Sequence, residues 1–278
     1  MAGRENKENA TPTAQLVAHM AREMRRRQGL TQAQLGDRIG FSGAAVSGVE
    51  TCAQPASDQM LVKLEETIGG DLGFFQTARI YMRIEKYPQQ FKNYALLERE
   101  AVSLSLYAMT VVHGLFQTRE YARALIAGGF PILNEDRVEE LVEARMARQE
   151  LFDRDPVATI ELVLDEAVLL RQIGNQEVMR GQLHRLAEHA KRRNVTIQVL
   201  PLSAGLHGEH AGVYGDMTLI ETDEHQPLLY LEPQEESLLI SDPAKVSTYA
   251  QRYARIRAQA LDPRESLGLI ERLAGDQP

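Results

Sequence analysis

The chain has 278 residues, of which 44% are hydrophobic and 25% are charged. This is the composition of an ordinary globular protein with room for two domains, and its apolar runs are too short for a membrane span. The N-terminus lacks the apolar core of a signal peptide, and a single cysteine, Cys52, excludes an internal disulfide. We therefore predict a cytoplasmic protein without a membrane partner.

The net charge of −8 is unevenly distributed along the chain. Residues 1–60 carry seven Lys and Arg against six Asp and Glu, whereas residues 61–278 carry 24 against 33. The acidity therefore lies outside the N-terminal segment. An acidic body disfavours indiscriminate binding to nucleic acid and suits a partner with a basic face.

The N-terminal end predicts a tail followed by a helix. Residues 1–12 are polar and predict a disordered tail. Residues 14–28 carry an apolar stripe at helical spacing and close on three arginines, which favour a helix C-terminus. Gly29 follows and is expected to end this helix.

Residues 31–50 predict two short helices joined by a tight turn. Thr31 and Gln34 have the spacing of a capping box at the start of the first helix. Gly40 can end that helix in the left-handed conformation, and Ser42 can cap the next one. This arrangement is a helix-turn-helix, whose second helix is shaped to lie in the major groove of DNA.

The remaining chain predicts an α+β fold in which helices come first and a sheet comes later. We predict an all-α helix-turn-helix domain of four or five helices at residues 13–76. A helical connector follows at residues 77–155, with helices at 79–112, 118–127 and 135–153, and its apolar faces make it the expected dimerisation region. After Pro156, alternating and β-branched residues predict a mixed α/β sheet domain at residues 156–278. Its predicted strands are 159–164, 195–200, 217–221, 228–231 and 237–240, and its predicted helices are 176–193, about 243–261 and a last one from Pro263.

Two known families resemble successive parts of the chain. The first 75 residues resemble Xre-type (phage-repressor) helix-turn-helix proteins through Thr31-Gln32, Gly40, Ser42, Val46-Ser47 and Glu50. The remainder resembles the C-terminal domain of unknown function, DUF5753-like, of the actinobacterial Scr1-type regulators. The matching stretches are residues 114–125, 144–149, 163–169, 182–183, 195–201 and 230–232. The resemblance implies a DNA-binding transcriptional regulator, antitoxin-like, whose gene often lies beside one for a small protein partner.

The resemblance also implies which residues meet DNA. By the family pattern, the positions that face base edges are Gly43, Ala44, Ser47 and Gly48. Gln32 and the region of Ser42 are expected to contact phosphate, which positions a protein without specifying sequence. Because the base-facing positions lack a long hydrogen-bonding side chain, we predict weak direct readout, with specificity from dimer spacing and DNA shape. By the same pattern, Arg25 and Glu50 form a partly buried structural ion pair.

Other motifs favour no chemistry. His207 and His210 lie three apart in a glycine-rich loop, which is not the usual spacing of a zinc site, so we predict no metal and no cofactor. The same loop is either a plain polar loop or one wall of a pocket with lining residues His207, His210, Tyr214 and Glu232. No phosphate loop, dinucleotide fingerprint or nucleophile elbow is present, and we predict that the protein is not an enzyme.

The sequence thus predicts a homodimeric regulator that binds a pseudo-palindromic operator in double-stranded DNA and also binds a small protein partner or a signal. One alternative is a protein-interaction module that sequesters a small cognate partner and has weak or lost DNA binding. Another is a receptor-regulator that responds to a small molecule.

Overall fold

The structure is a computed structural model, and it describes residues 10–87, 91–206, 209–234 and 236–275. The chain divides into two compact units, Met1–Lys86 and Tyr87–Pro278. Most of the predicted tail, residues 1–9, lies outside the described residues, and Pro12 already belongs to the first helix. Among the described residues, no helix combines the length and the apolar character that a membrane crossing requires.

The described residues of the first unit form an all-α domain. Its elements are α1 (Pro12–Arg27), α2 (Gln32–Ile39), α3 (Gly43–Glu50), α4 (Asp58–Leu64), a π-helical turn (Glu65–Gly69) and α5 (Phe74–Ile84). The predicted capping box is confirmed, because the Thr31 hydroxyl accepts from the Gln34 amide while the Gln34 side chain accepts from the Thr31 amide. Gly40 ends α2 in the left-handed conformation, and Ser42 caps α3.

A single apolar cluster holds these helices together. Its members include the buried side chains of Val17, Leu35, Ile39, Val46, Leu61, Leu64 and Phe75. The turn between α2 and α3 is tight at Gly36, where an added Cβ would lie 2.6 Å from the Phe41 carbonyl oxygen and 2.9 Å from the Gly43 amide nitrogen. Only glycine allows this approach, so Gly36 fixes the geometry of the helix-turn-helix.

The described residues of the second unit contain a six-stranded mixed sheet with helices. The strands are β1 (Ser103–Ala108), β2 (Thr159–Asp165), β3 (Val195–Leu200), β4 (Met217–Glu221), β5 (Pro227–Leu231) and β6 (Leu238–Ile240). The helices are α6 (Lys92–Glu100), α7 (Arg119–Ala127), α8 (Glu135–Ala147), α9 (Glu166–Leu170), α10 (Gln176–Ala190), α11 (Pro243–Gln259) and α12 (Pro263–Ala274), with 3-10 turns at Gly114–Phe116, Arg148–Phe152 and Leu202–Gly205.

The sheet is mixed, with two parallel and three antiparallel strand pairings among the described residues. Its strand order is β3-β2-β1-β4-β5-β6, in which β1, β2 and β3 run parallel and β4, β5 and β6 pair antiparallel. The chain therefore moves outward from β1 to β3 and then returns to the other side of β1. Such a reversal of strand order opens a crevice at the carboxyl end of the central strand.

Both faces of this sheet are covered, and side chains alternate between them. On one face, Leu104 and Leu106 of β1 join a large cluster that includes Leu186 of α10 and Ile270 of α12. On the opposite face, Tyr107 of β1 joins a smaller cluster to which α11 contributes Val246, Tyr253 and Ile256. The predicted α+β class, with an N-terminal helix-turn-helix domain and a C-terminal mixed sheet, is confirmed.

The prediction of one helix over residues 79–112 is wrong. The structure has the end of α5, then α6, and then the central strand β1 in this range. The sequence of β1, Ser-Leu-Ser-Leu-Tyr-Ala, alternates polar and apolar residues at its start, which fits a strand flanked on both sides. Its strand state depends on pairing with β2 and β4, which lie more than 50 and 100 residues further along the chain.

Two buried polar side chains of α10 stand out in the large cluster. Gln182 is fully enclosed, and its amide accepts from the Thr118 backbone nitrogen and donates to the Phe116 carbonyl, each at 2.8 Å. His189 packs between the rings of Phe116 and Phe152, and among the described residues neither ring nitrogen has a hydrogen-bond partner. Burial, together with nearby arginines, lowers the pKa of His189 to about 4, so the ring is neutral at pH 7.

Candidate DNA-binding surface

A buried ion pair joins α1 to the end of α3. The Arg25 guanidinium donates from Nε to Glu50 Oε1 at 2.6 Å and from Nη2 to Oε2 at 2.8 Å, and its Nη1 donates to the Leu30 carbonyl at 2.7 Å. The Arg22 guanidinium donates to the backbone carbonyl of Glu50. Gln32, at the start of α2, donates from Nε2 to Glu50 Oε2 at 2.8 Å. Glu50, only 1% exposed, thus holds α1, α2 and α3 in one arrangement.

The electrostatics of this site favour the charged pair. Burial alone would raise the pKa of the Glu50 carboxyl, but hydrogen bonds from Arg25 and Gln32 and the charge of Arg25 outweigh it, and the pKa is lowered. The hydrogen bond to Glu50 raises the pKa of Arg25. Both groups are therefore ionised at pH 7, and a bidentate pair with satisfied lone pairs is the form in which a buried ion pair is tolerated.

The outer face of α3 is small and polar. Ser42 and Ala44 are exposed, while Ser47 and Gly48 are half-buried. Ser42 accepts from the amide of residue 45, so it caps the helix end from which the positive end of the helix dipole points outward. No long side chain of α3 covers this face.

Gly43 and Gly48 lie against other parts of the first unit, whereas Ala44 is exposed. A Cβ on Gly43 would lie 3.0 Å from the Ala33 Cα, so Gly43 serves the packing of α3 on α2. A Cβ on Gly48 would lie 3.1 Å from the side chain of Gln54, in the loop after α3. Gln54 is exposed and places an amide over the glycine.

Gln54 is a candidate functional residue that sequence reasoning missed. No motif position marks it, because it lies outside the helix and reaches Gly48 only through the fold of the loop. Gln32 was predicted to contact phosphate. In the structure, one of its amide protons is donated to Glu50. Its side-chain oxygen and second amide proton are still available to a ligand.

The predicted pocket residues do not come together. Glu232 lines a cavity of about 350 Å³ in the second unit. His210 instead accepts a hydrogen bond from the Gly212 amide, and Tyr214 is exposed beneath the guanidinium of Arg252; neither lines that cavity. His207 lies outside the described residues. In the described part of the chain, no group of three or more His, Cys, Asp or Glu side chains is placed to hold a metal ion.

The helix-turn-helix fold and its exposed helix are those of a DNA-binding regulator, and the family comparisons support this class. Residues 22–75 match the family described as Helix-turn-helix (HTH_3), and residues 91–272 match the family described as Domain of unknown function (DUF5753). The helix-turn-helix match supports a DNA-binding regulator. The chain belongs to the DUF5753 family, whose match covers most of its length. No curated protein and no solved structure was found to match the chain.

Proposed function

We propose that this protein is a sequence-specific transcriptional regulator that inserts α3 into the major groove of operator DNA. The observation that carries the proposal is the Glu50 network, which fixes α1, α2 and α3 and leaves Ser42 and Ala44 at the start of α3 exposed. We assign DNA binding to residues 13–76, dimerisation to the surface of residues 77–155, and the binding of a partner or signal to residues 156–278. The assigned role is regulatory and cytoplasmic, without a catalytic step.

In this proposal, the contacts to DNA divide into two kinds. Gln32 and Ser42 contact phosphates on either side of the groove, which sets the position of α3. At the bases, the Ala44 methyl contacts a thymine methyl and Ser47 makes a hydrogen bond. Gln54 supplies a long amide beside this face, and a bidentate pair with adenine gives about 1–3 kcal/mol of discrimination.

A titration of operator or genomic DNA with the full-length protein at several salt concentrations tests this assignment. Phosphate contacts require the affinity to fall steeply as salt rises. Ala44→Glu adds a carboxylate to the exposed face of α3 and should weaken binding at least about tenfold. Gln76→Glu is the matched control, because it adds the same charge at an exposed position of α5 and should leave binding unchanged. Equal affinities for the two variants would contradict the docking of α3.

We also propose a two-fold dimer, because reading two half-sites requires two helix-turn-helix units about 34 Å apart. The loop between α7 and α8 supports a contact surface there, since Phe130 and Ile132 are 92% and 86% exposed. Sedimentation of the full-length protein should give a dimer, and the Phe130→Ser/Ile132→Ser double variant should shift it to a monomer. Leu72→Ser, which removes an exposed leucine of the first unit, should not. A wild-type monomer would contradict the proposal.

The resemblance to actinobacterial Scr1-type regulators leads us to propose that the protein is an antitoxin-like regulator of that type with a small protein partner. The acidic balance of residues 61–278 supports a partner with a basic face. Co-expression with the product of the neighbouring gene should yield a complex that weakens as salt rises. If that complex forms and no DNA binds even at low salt, the protein is an interaction module that sequesters its partner.

A further inference from the structure

The second unit contains a cavity at the carboxyl end of β1. Its volume is about 350 Å³, within the range of small-molecule sites. It lies where the strand order reverses, between the segment after β1 (Thr110–Gly114) and the start of β4 (Asp216–Thr218). α8 and the end of β5 contribute the other walls. This is the position at which open sheets bind ligands.

A guanidinium group that forms no direct ion pair among the described residues lines this cavity. Arg145 donates from Nη1 to Gln117 Oε1 at 2.8 Å, and Gln117 in turn donates from Nε2 to the Val112 carbonyl at 2.6 Å. Among the described residues, no carboxylate forms an ion pair with Arg145. Burial, together with the charge of neighbouring Arg148, lowers the pKa of Arg145 to about 10, which still leaves it protonated at pH 7.

The adjacent Arg148 is compensated. Its Nε and Nη2 donate to the two carboxylate oxygens of Glu98 at 2.7 and 2.6 Å. Its guanidinium also lies 4.8 Å from the centre of the Phe91 ring. The two arginines therefore differ: Arg148 holds α6 to the turn after α8 through a direct ion pair, whereas Arg145 lines the cavity with only the more distant Glu232 carboxyl to offset its charge. A half-buried guanidinium held in place without a direct ion-pair partner favours an anionic ligand.

Polar groups at the β5 side can bind a second part of such a ligand. The Tyr230 ring stacks on Tyr94 at 4.0 Å between centroids, and its buried hydroxyl lies beside the Glu232 carboxyl. Burial raises the pKa of the Glu232 carboxyl, which also lines the cavity, while the charges of Arg148 and Arg145 oppose this rise. Apolar walls between the two ends come from Phe91, Leu125 and Leu141.

We propose that this cavity binds a small organic acid. Its carboxylate pairs with the Arg145 guanidinium, its apolar or aromatic body packs against Phe91, Leu125 and Leu141, and a distal hydroxyl meets Tyr230 and Glu232. The inference does not depend on DNA binding, because the site lies within the second unit and is tested without nucleic acid.

Thermal unfolding of the full-length protein with defined probes tests the site. The probes are phenylacetate, 4-hydroxyphenylacetate and hexanoate, and 4-hydroxyphenylacetamide is the uncharged control of the same shape. At about ten times its dissociation constant, a binding carboxylate should raise the melting temperature of the second unit by about 3–5 °C. The acid with the distal hydroxyl should bind more tightly than phenylacetate, and the amide should give no shift. If none of the three carboxylates gives a shift, or if the amide matches its acid, the proposal is wrong.

Variants connect the shift to the cavity. Arg145→Gln should weaken carboxylate binding at least about tenfold, because it removes a charge-assisted hydrogen bond. Arg137→Gln is the matched control and should retain the shift, because Arg137 lies on the same helix but pairs with Glu140 and does not line the cavity. Leu141→Trp fills the cavity without changing charge and should abolish binding, which keeps the test decisive if Arg145→Gln unfolds. An unchanged shift in a folded Arg145→Gln or in Leu141→Trp would overturn the proposal.

Discussion

The stability of the first unit depends on one buried carboxylate, Glu50. Glu50→Gln keeps the shape of the side chain and removes its charge. Arg25, which is only 9% exposed, then loses its counter-ion. Breaking one side of a buried ion pair costs about 3–5 kcal/mol. A unit of roughly 75 ordered residues has a total stability of about 4–11 kcal/mol. The substitution should therefore unfold a measurable fraction of this unit at 37 °C.

Hydrogen exchange of the full-length protein, followed by mass spectrometry of peptides, measures this cost where it arises. Peptides from α1 to α3 should lose about 3–5 kcal/mol of protection in Glu50→Gln, while peptides from the second unit should not change. Glu66→Ala is the control, because its ion pair with Lys63 is exposed and is worth at most about 1 kcal/mol.

The direction in which the stability of the first unit changes with pH follows from the pKa of Glu50. The pKa of Glu50 is lowered in the folded state, so its contribution is present above the unfolded value of about 4.3 and is lost as the pH falls through the folded value. Acidification below about pH 4 should therefore destabilise the first unit of the wild type more than that of Glu50→Gln. A loss under about 1 kcal/mol in Glu50→Gln at pH 7, or identical acid sensitivity of the two proteins, would refute the reasoning.

Three further predictions have signs fixed by the structure. Gly36→Ala should destabilise the first unit by about 2 kcal/mol in urea unfolding, because the added Cβ would meet backbone atoms. Gly181→Ala should instead stabilise α10 by about 1 kcal/mol in the same assay, because its Cβ would meet nothing within 4 Å. Gln182→Met should destabilise the second unit by about 2–4 kcal/mol in the same assay, because two buried backbone groups lose their partner. The free energy of unfolding of the wild type should fall by about 2 kcal/mol between pH 7.5 and pH 5 because of His189. With a pKa of about 4 in the folded state, the ring binds its proton more readily in the unfolded state. His189→Leu should not show this part of the loss.

Each of these has an outcome that would contradict it. Destabilisation of similar size in both glycine variants would mean that the space at Gly36 does not decide the effect. A fully stable Gln182→Met would mean that its amide is not needed by the backbone. Parallel pH profiles for the wild type and His189→Leu would mean that the ring accepts a proton in the folded state near its ordinary pKa.

Local signals explain which parts of the fold were predictable. The caps at Thr31 and Ser42 and the turn at Gly40 follow from the chemistry of a few neighbouring residues, so their positions could be inferred from sequence. β1 could not, because its residues lie in a segment with apolar spacing that also fits a helix. What decides its state is the pairing with β2 and β4, and the sequence of the segment does not contain that information.

The same distinction applies to the sites. Arg25 and Glu50 follow a family pattern that sets their spacing, whereas Gln54 meets Gly48 only through the path of a loop. In the cavity, sequence reasoning identified Glu232 alone. Arg145 and its neighbour Arg148 were missed, because a charge in a helical segment is usually solvated, and only the packing of distant elements encloses it.

The most direct test of the central claim is capture of fragmented genomic DNA by the full-length protein, followed by sequencing of the bound fragments, with Ala44→Glu in parallel. We predict that the wild type enriches a small set of sites with two-fold-related half-sites about one helical turn apart, and that Ala44→Glu loses them. No enrichment at low salt, or the same sites bound equally by Ala44→Glu, would contradict the claim that α3 reads operator DNA.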